Sequence, residues 1–151
     1  MCYRHFLKTS IAVRALLKTA RYKRDGKLLR GIPGIGPLTA VQLLTELEDI
    51  DRFSSFKKLN SFIGFHPSSH STGDYDRKGH MTVRKHRALR SALVECAWQT
   101  VQKDPAMLSR YEALIKRMTK KRAIIVIARK LLSRIYHVLK TQEPYQLGRV
   151  A

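Results

Sequence analysis

Acidic residues are scarce in this chain: 11 Asp and Glu stand against 30 Lys and Arg in 151 residues, a formal net charge of +19. That ratio excludes an ordinary mixed-charge solvated surface and points to a polyanionic partner. Cysteine is nearly absent. Only Cys2 and Cys96 occur, far apart and without a CxxC pair, which excludes a disulfide framework and a cysteine-based zinc site and suits a reducing cytosol. No apolar run is long enough to span a bilayer. No basic amphipathic helix with a bulky aromatic face is present either, so a membrane surface explains the charge poorly. Repeats and low-complexity tracts are also lacking, and at 44% hydrophobic the chain can bury one modest core or two small lobes.

The charge is uneven. Residues 1–76 carry 12 basic and 7 acidic groups, residues 77–151 carry 18 and 4, so the polyanion is expected mostly against the second half. Met1 to Arg24 holds no acid and resembles a presequence in composition, but no small-residue cleavage site follows, and it reads as a basic helix leading into the domain.

Apolar spacing predicts a mainly α fold. Ile11, Ala15, Leu16 and Ala20 share one helical face, Arg24 to Lys27 reads as a turn, and a short helix or extended lead-in begins at Leu28. Leu38, Val41, Leu44 and Leu47 mark a helix ending near Glu48. Phe56, Leu59, Phe62 and Ile63 mark another, capped by Ser54 or Ser55 and stopped by Gly64. His66 to Gly79 has no helical period and reads as a long polar loop or loose hairpin. Helix resumes from Thr82, breaks at Asp104-Pro105, continues in a further segment along Leu108, Tyr111, Leu114 and Ile115, and returns as a last strong helix along Ile124, Ile127, Leu131, Ile135 and Val138.

Three groups of residues carry candidate chemistry. Gly31-Ile32-Pro33-Gly34-Ile35-Gly36 followed by Pro37 is an apolar turn entering a helix. It reads as a helix-hairpin-helix element whose amides at Gly34, Ile35 and Gly36 would converge, with the helix dipole, on a phosphate; Lys57 or Lys58 could assist. The alternative is a tight turn between core helices. In the loop, Ser71 and Thr72 precede a glycine and are followed by Arg77 and Lys78. A hydroxyl that attacks phosphorus in line, with cations neutralising the equatorial oxygens, needs such residues, although Ser-Thr-Gly also marks simple turns. Arg84, Lys85, Arg87 and Arg90 recur along one helix as a stripe opposite Leu89, Leu93 and Cys96, able to follow a phosphate backbone. His66, His70, His80 and His86 flank the loop without carboxylate or thiol company at ligand spacing, so no metal site is assigned to this chain.

The order of these pieces resembles the C-terminal domain of the insertion-sequence one-ten (one-sixteen, nine-oh-two) family of transposases, related to the Piv DNA invertases. The resemblance runs from Leu29-Arg30-Gly31-Ile32-Pro33-Gly34-Ile35-Gly36 through Thr39-Ala40, Asp51-Arg52-Phe53, Phe62-Ile63-Gly64, Ser71-Thr72-Gly73, Gly79-His80-Met81-Thr82, Leu89-Arg90 and Leu93-Val94-Glu95 to Tyr136-His137-Val138-Leu139. It implies DNA recombination through a serine nucleophile, with DNA at element ends and target as partner and, for some members, a structured guide RNA. It also implies a homo-oligomeric full-length protein, a bacterial cytoplasmic, nucleoid-associated location, and magnesium held by a RuvC-like acidic domain. Two departures stand out. Thr72 occupies the place of the family serine, with Ser71 one position earlier, and threonine's methyl restricts an in-line attack. The acidic domain has no counterpart here, so the chain reads as a C-terminal fragment, a split reading frame or a decayed copy.

The expected organisation is a basic helical lead-in over 1–27, the end of a connecting helix; a transposase-type domain over 28–140, with helix-hairpin-helix 28–64, hydroxyl-bearing loop 65–82 and basic helical part 83–140; and a tail over 141–151. The rival expectation is a non-catalytic basic helix-hairpin-helix module that binds structured RNA or DNA junctions.

Overall fold

The computed structural model describes residues 2–65, 67–72, 75–81 and 86–148; side chains are described for these except residues 2–6, 67–72 and 75–81. The described chain is mainly helical: α1 Cys2–Leu16, α2 Ala20–Arg30, α3 Pro37–Leu47, α4 Phe56–Ile63, α5 Arg87–Lys103, α6 Pro105–Ile115 and α7 Lys120–Thr141. Between α4 and α5 lies one antiparallel strand pair, β1 Pro67–Thr72 and β2 Tyr75–Met81.

The core is built on α7. Its apolar stripe (Ile124, Ile127, Leu131, Ile135 and Val138, with Ala123 and Ala128 at the closest approaches) is buried against Leu89, Leu93 and Ala97 of α5 and Leu114 of α6. Burial of such side chains contributes about 1.5–3 kcal/mol each. Trp98 of α5 meets Tyr111 of α6 edge-on, ring centroids 5.6 Å apart. The Tyr136 hydroxyl donates to the Phe53 carbonyl at 3.0 Å, tying α7 to the connector before α4.

Several helix ends follow their sequence signals. Gly64 ends α4 at φ 85, a left-handed cap, and Ser55 begins it by accepting from the Lys58 N–H. Asp104 caps α6 through the Ala106 N–H at 2.9 Å, with Pro105 in the first turn. The buried Asp104 carboxylate also accepts from the Tyr145 hydroxyl, which folds the chain after α7 back onto α6.

The structure corrects three expectations and decides a fourth, left open between loop and hairpin. The first helix stops at Leu16, where the Thr19 hydroxyl donates to the Leu16 carbonyl at 2.6 Å. Gly26 is not in a turn: it sits inside α2, because a Cβ there would come 2.6 Å from Cδ2 of Leu17. Glycine at that position admits a leucine rather than bending the backbone. The polar segment after Gly64 is a hairpin with Ser69 opposite Lys78, His70 opposite Arg77, Ser71 opposite Asp76 and Thr72 opposite Tyr75, and with an irregularity between Pro67 and Ser69. The next helix starts at Arg87, not Thr82; His86 before it adopts φ 47.

Candidate nucleic-acid interface

The turn between α2 and α3 is fixed from both sides. Its apolar residues Ile32 and Ile35 are buried in the core, and the Ile35 N–H donates to the Ile32 carbonyl at 3.1 Å, closing a turn with Pro33 and Gly34 at its corners. Gly34 has φ 90, a conformation that suits glycine. It also lies hard against α5: a Cβ would stand 2.6 Å from the Cys96 carbonyl oxygen and 3.0 Å from Gln99 Cβ and Thr100 Oγ1. The buried Thr100 hydroxyl lies 2.7 Å from the Pro33 carbonyl and 2.7 Å from the Cys96 carbonyl, donating to one at a time.

Gly36 differs from Gly34. Its backbone is extended, and a Cβ there would meet nothing within 4 Å. It is the N-cap of α3, no side chain caps the amides of that first turn, and Pro37 supplies no N–H. Uncapped amides and the positive end of the helix dipole thus face an open space. Beside the turn, and reaching Gly36, is a cleft of about 350 Å³ lined by Arg30, the turn residues 31–36, and Gln99 and Lys103 of α5; no residue of α3 lines it. Arg30 and Lys103 are exposed, and no carboxylate lines the cleft. A phosphate is the chemistry such an arrangement accommodates.

Of the expected cations, Arg87 is exposed at the start of α5, whereas Arg90 leaves the expected stripe. Arg90 is 7% exposed, and its Nη1 donates to the Gly64 carbonyl at 3.2 Å. Helical spacing of three placed it beside Arg87, but the α5 surface at 90 turns inward over the end of α4. Arg84 and Lys85 lie outside the described residues, as does Gly73. For Ser71, Thr72, Arg77 and Lys78 the backbone register is what the structure gives. Lys57 and Lys58 head α4 and do not line the cleft. His86 is held by Glu46 at 3.0 Å and stacks on Phe62, centroids 4.2 Å apart. Together the Phe62–His86 and Gly64–Arg90 contacts close the base of the segment that carries Ser71 and Thr72.

Arg30, Gln99 and Lys103 were not singled out by sequence. The signal available was the four-residue spacing of Gln99 and Lys103, off the core stripe of α5; their neighbourhood to a turn more than sixty residues earlier is a product of the fold. Among the described residues no three His, Cys, Asp or Glu side chains come together as a metal site.

A profile of the IS116/IS110/IS902 transposase family matches residues 26–112, from α2 through the turn and the strand pair into α6. The chain belongs to this transposase family. It is 30% identical over 137 residues to the transposase for insertion sequence element IS1111A of Coxiella burnetii, covering 88% of this chain and 38% of that protein. It is 33% identical over 134 residues to the pilin gene-inverting protein of Moraxella bovis, covering 84% and 40%. A putative transposase of Sinorhizobium fredii is 31% identical over 136 residues, covering 87% and 35%. This transposase-family chain thus spans about two fifths of the length of these curated relatives. No described helix is long and apolar enough to cross a membrane.

Proposed function

We propose that this chain engages DNA during transposition or site-specific recombination, seating a backbone phosphate in the hairpin cleft while a hydroxyl of β1 attacks a second phosphate. The observation that carries the first half is the contrast between the two glycines: Gly34 is filled in by α5, whereas Gly36 is open and borders a cleft that also holds Arg30 and Lys103. A turn that served packing alone would need only the first. Such contacts position the backbone without reading bases.

Arg87 and Lys103 mark the two ends of α5, about 25 Å apart at the usual helical rise. A duplex seated at the cleft and laid along α5 would reach the base of the strand pair after about seven base pairs. In the reaction, the oxygen of Ser71 or Thr72 bonds to phosphorus, the bond from phosphorus to the adjoining sugar oxygen breaks, and the hydroxyl proton passes to a base. The phospho-linkage keeps the bond energy for rejoining. One of the two hydroxyls carries this step.

The relatives named transposase and gene-inverting protein support this reading. Thr72 in the place of the family serine favours a second one, a DNA- or structured-RNA-binding module without the covalent step. A covalent adduct with nicked duplex, sought with the chain supplemented by the amino-terminal part of a full-length relative, separates them. The recombinase reading expects an adduct lost on Ser71→Ala or on Thr72→Ala; no adduct with the unsubstituted chain leaves the binding module, and an adduct surviving both changes together takes the step away from Ser71 and Thr72.

A further inference from the structure

Between Glu112 and Glu143 the chain holds nine basic residues and no acidic one. Among the described residues only Lys140 of these nine pairs with a carboxylate, Asp51 at 2.7 Å. Lys116, Arg117, Lys120, Lys121 and Arg122 surround the α6–α7 turn and are exposed. The last three fill the first turn of α7, where the helix dipole disfavours cations, and no side chain caps that end. Farther along, Arg129 and Arg134 are exposed and Lys130 is half-buried. Burial lowers the Lys130 pKa, Arg134 and Arg110 lower it further, and Asp104 opposes them, so repulsion between cations of α6 and α7 outweighs the one carboxylate near Lys130. An anion laid across this surface would relieve both the repulsion and the dipole mismatch.

We propose that the exposed basic surface of α7 centred on Arg122 and Arg129, bordered by Lys121 on one side and by Lys130, Arg134 and Arg110 on the other, is a second duplex-DNA surface, separate from the hairpin cleft, which holds another DNA segment by its phosphates. None of these residues lines the cleft. The proposal extends the recombination reading, since exchange brings two segments to one protein. The occupant is a duplex rather than a single strand, because the one aromatic residue of α7, Tyr136, is partly buried with its hydroxyl on Phe53 and offers no stacking platform. A membrane surface is a poor occupant, since Val126 is the one large hydrophobic of α7 that is exposed, and interfacial helices need a broad apolar face.

The test counts duplexes bound per chain, by native mass spectrometry, using a duplex of about one helical turn, about 10 base pairs. The unsubstituted chain is expected to bind two. A Lys121→Glu/Arg122→Glu/Arg129→Glu variant is expected to bind one, and an Arg30→Glu/Lys103→Glu variant one. Acids in the first turn of α7 suit its dipole, so loss of folding is not the expected reason; the matching glutamine variant, with thermal unfolding of both, confirms this. A face variant that still binds two, or an unsubstituted chain that binds one duplex lost only through the cleft variant, overturns the proposal and leaves the cleft reading standing. Binding lost through the face variant and untouched in the cleft variant overturns the cleft reading instead. A face variant that loses duplex RNA but keeps both DNA duplexes overturns the assignment to DNA.

Discussion

The Thr100 hydroxyl lies 2.7 Å from the Pro33 carbonyl, so a buried side chain of α5 fixes the turn that opens the cleft. Thr100→Val keeps the shape and removes the donor. Leaving a buried carbonyl unpaired costs about 1–3 kcal/mol, and thermal unfolding should show that loss together with weaker duplex binding. Unchanged stability would mean that the turn does not depend on this anchor.

The two glycines should respond with opposite signs. Gly34→Ala forces a Cβ against the Cys96 carbonyl at positive φ and is expected to destabilise the fold by about 1–3 kcal/mol. Gly36→Ser meets no neighbour and can cap the free amides of α3, so stability should hold or rise by a few tenths of a kcal/mol. Those amides are then occupied, and affinity for a duplex should fall about tenfold, or about 1.4 kcal/mol. Calorimetry and fluorescence anisotropy on both variants check the pair.

Arg90 and Arg87 are expected to separate stability from binding. Arg90→Ala removes a buried charged donor from Gly64 and should cost about 1.5–3 kcal/mol. Arg87→Ala should leave unfolding unchanged. It should instead reduce the slope of log affinity against log salt by about 0.9, the share of one phosphate contact. An Arg90 variant of unchanged stability would restore it to the expected exposed stripe.

Alkaline pH tests the tail. Burial, and then the hydrogen bond to Asp104, push the Tyr145 phenol well above its ordinary value. A folded pKa above the unfolded one means that the folded state retains the proton longer. The stabilisation is then complete below the unfolded value near pH 10 and lost as pH rises through the folded one. Tyr145→Phe should lower stability at neutral pH by about 1–2 kcal/mol and flatten the decline above pH 10. Parallel pH curves for the two proteins would contradict this.

Much of the fold was legible where local chemistry decides the outcome. Ser55, Gly64 and Asp104-Pro105 end or begin helices as their backbone and side-chain preferences require. The α7 stripe was legible because its apolar residues hold one helical face from Ala123 to Leu139. Gly26 was not, since its role comes from Leu17 packing onto it, and neither was the inward turn of Arg90, set by where α4 ends. The strand pair was legible only as one of two alternatives, because Pro67-Ser68-Ser69-His70-Ser71-Thr72 lacks the alternating apolar residues that mark a half-buried strand. At the site the turn itself was readable, but its cationic rim at Lys103 depends on the packing of α5 against it.

The most direct measurement is the ¹⁵N–¹H spectrum of the chain during titration with a short duplex. The seated phosphate predicts that the amides of Gly34, Gly36, Leu38 and Thr39 shift most, and that Gly36→Ser suppresses these shifts. Amides of the turn that stay unmoved at saturating duplex would contradict the account.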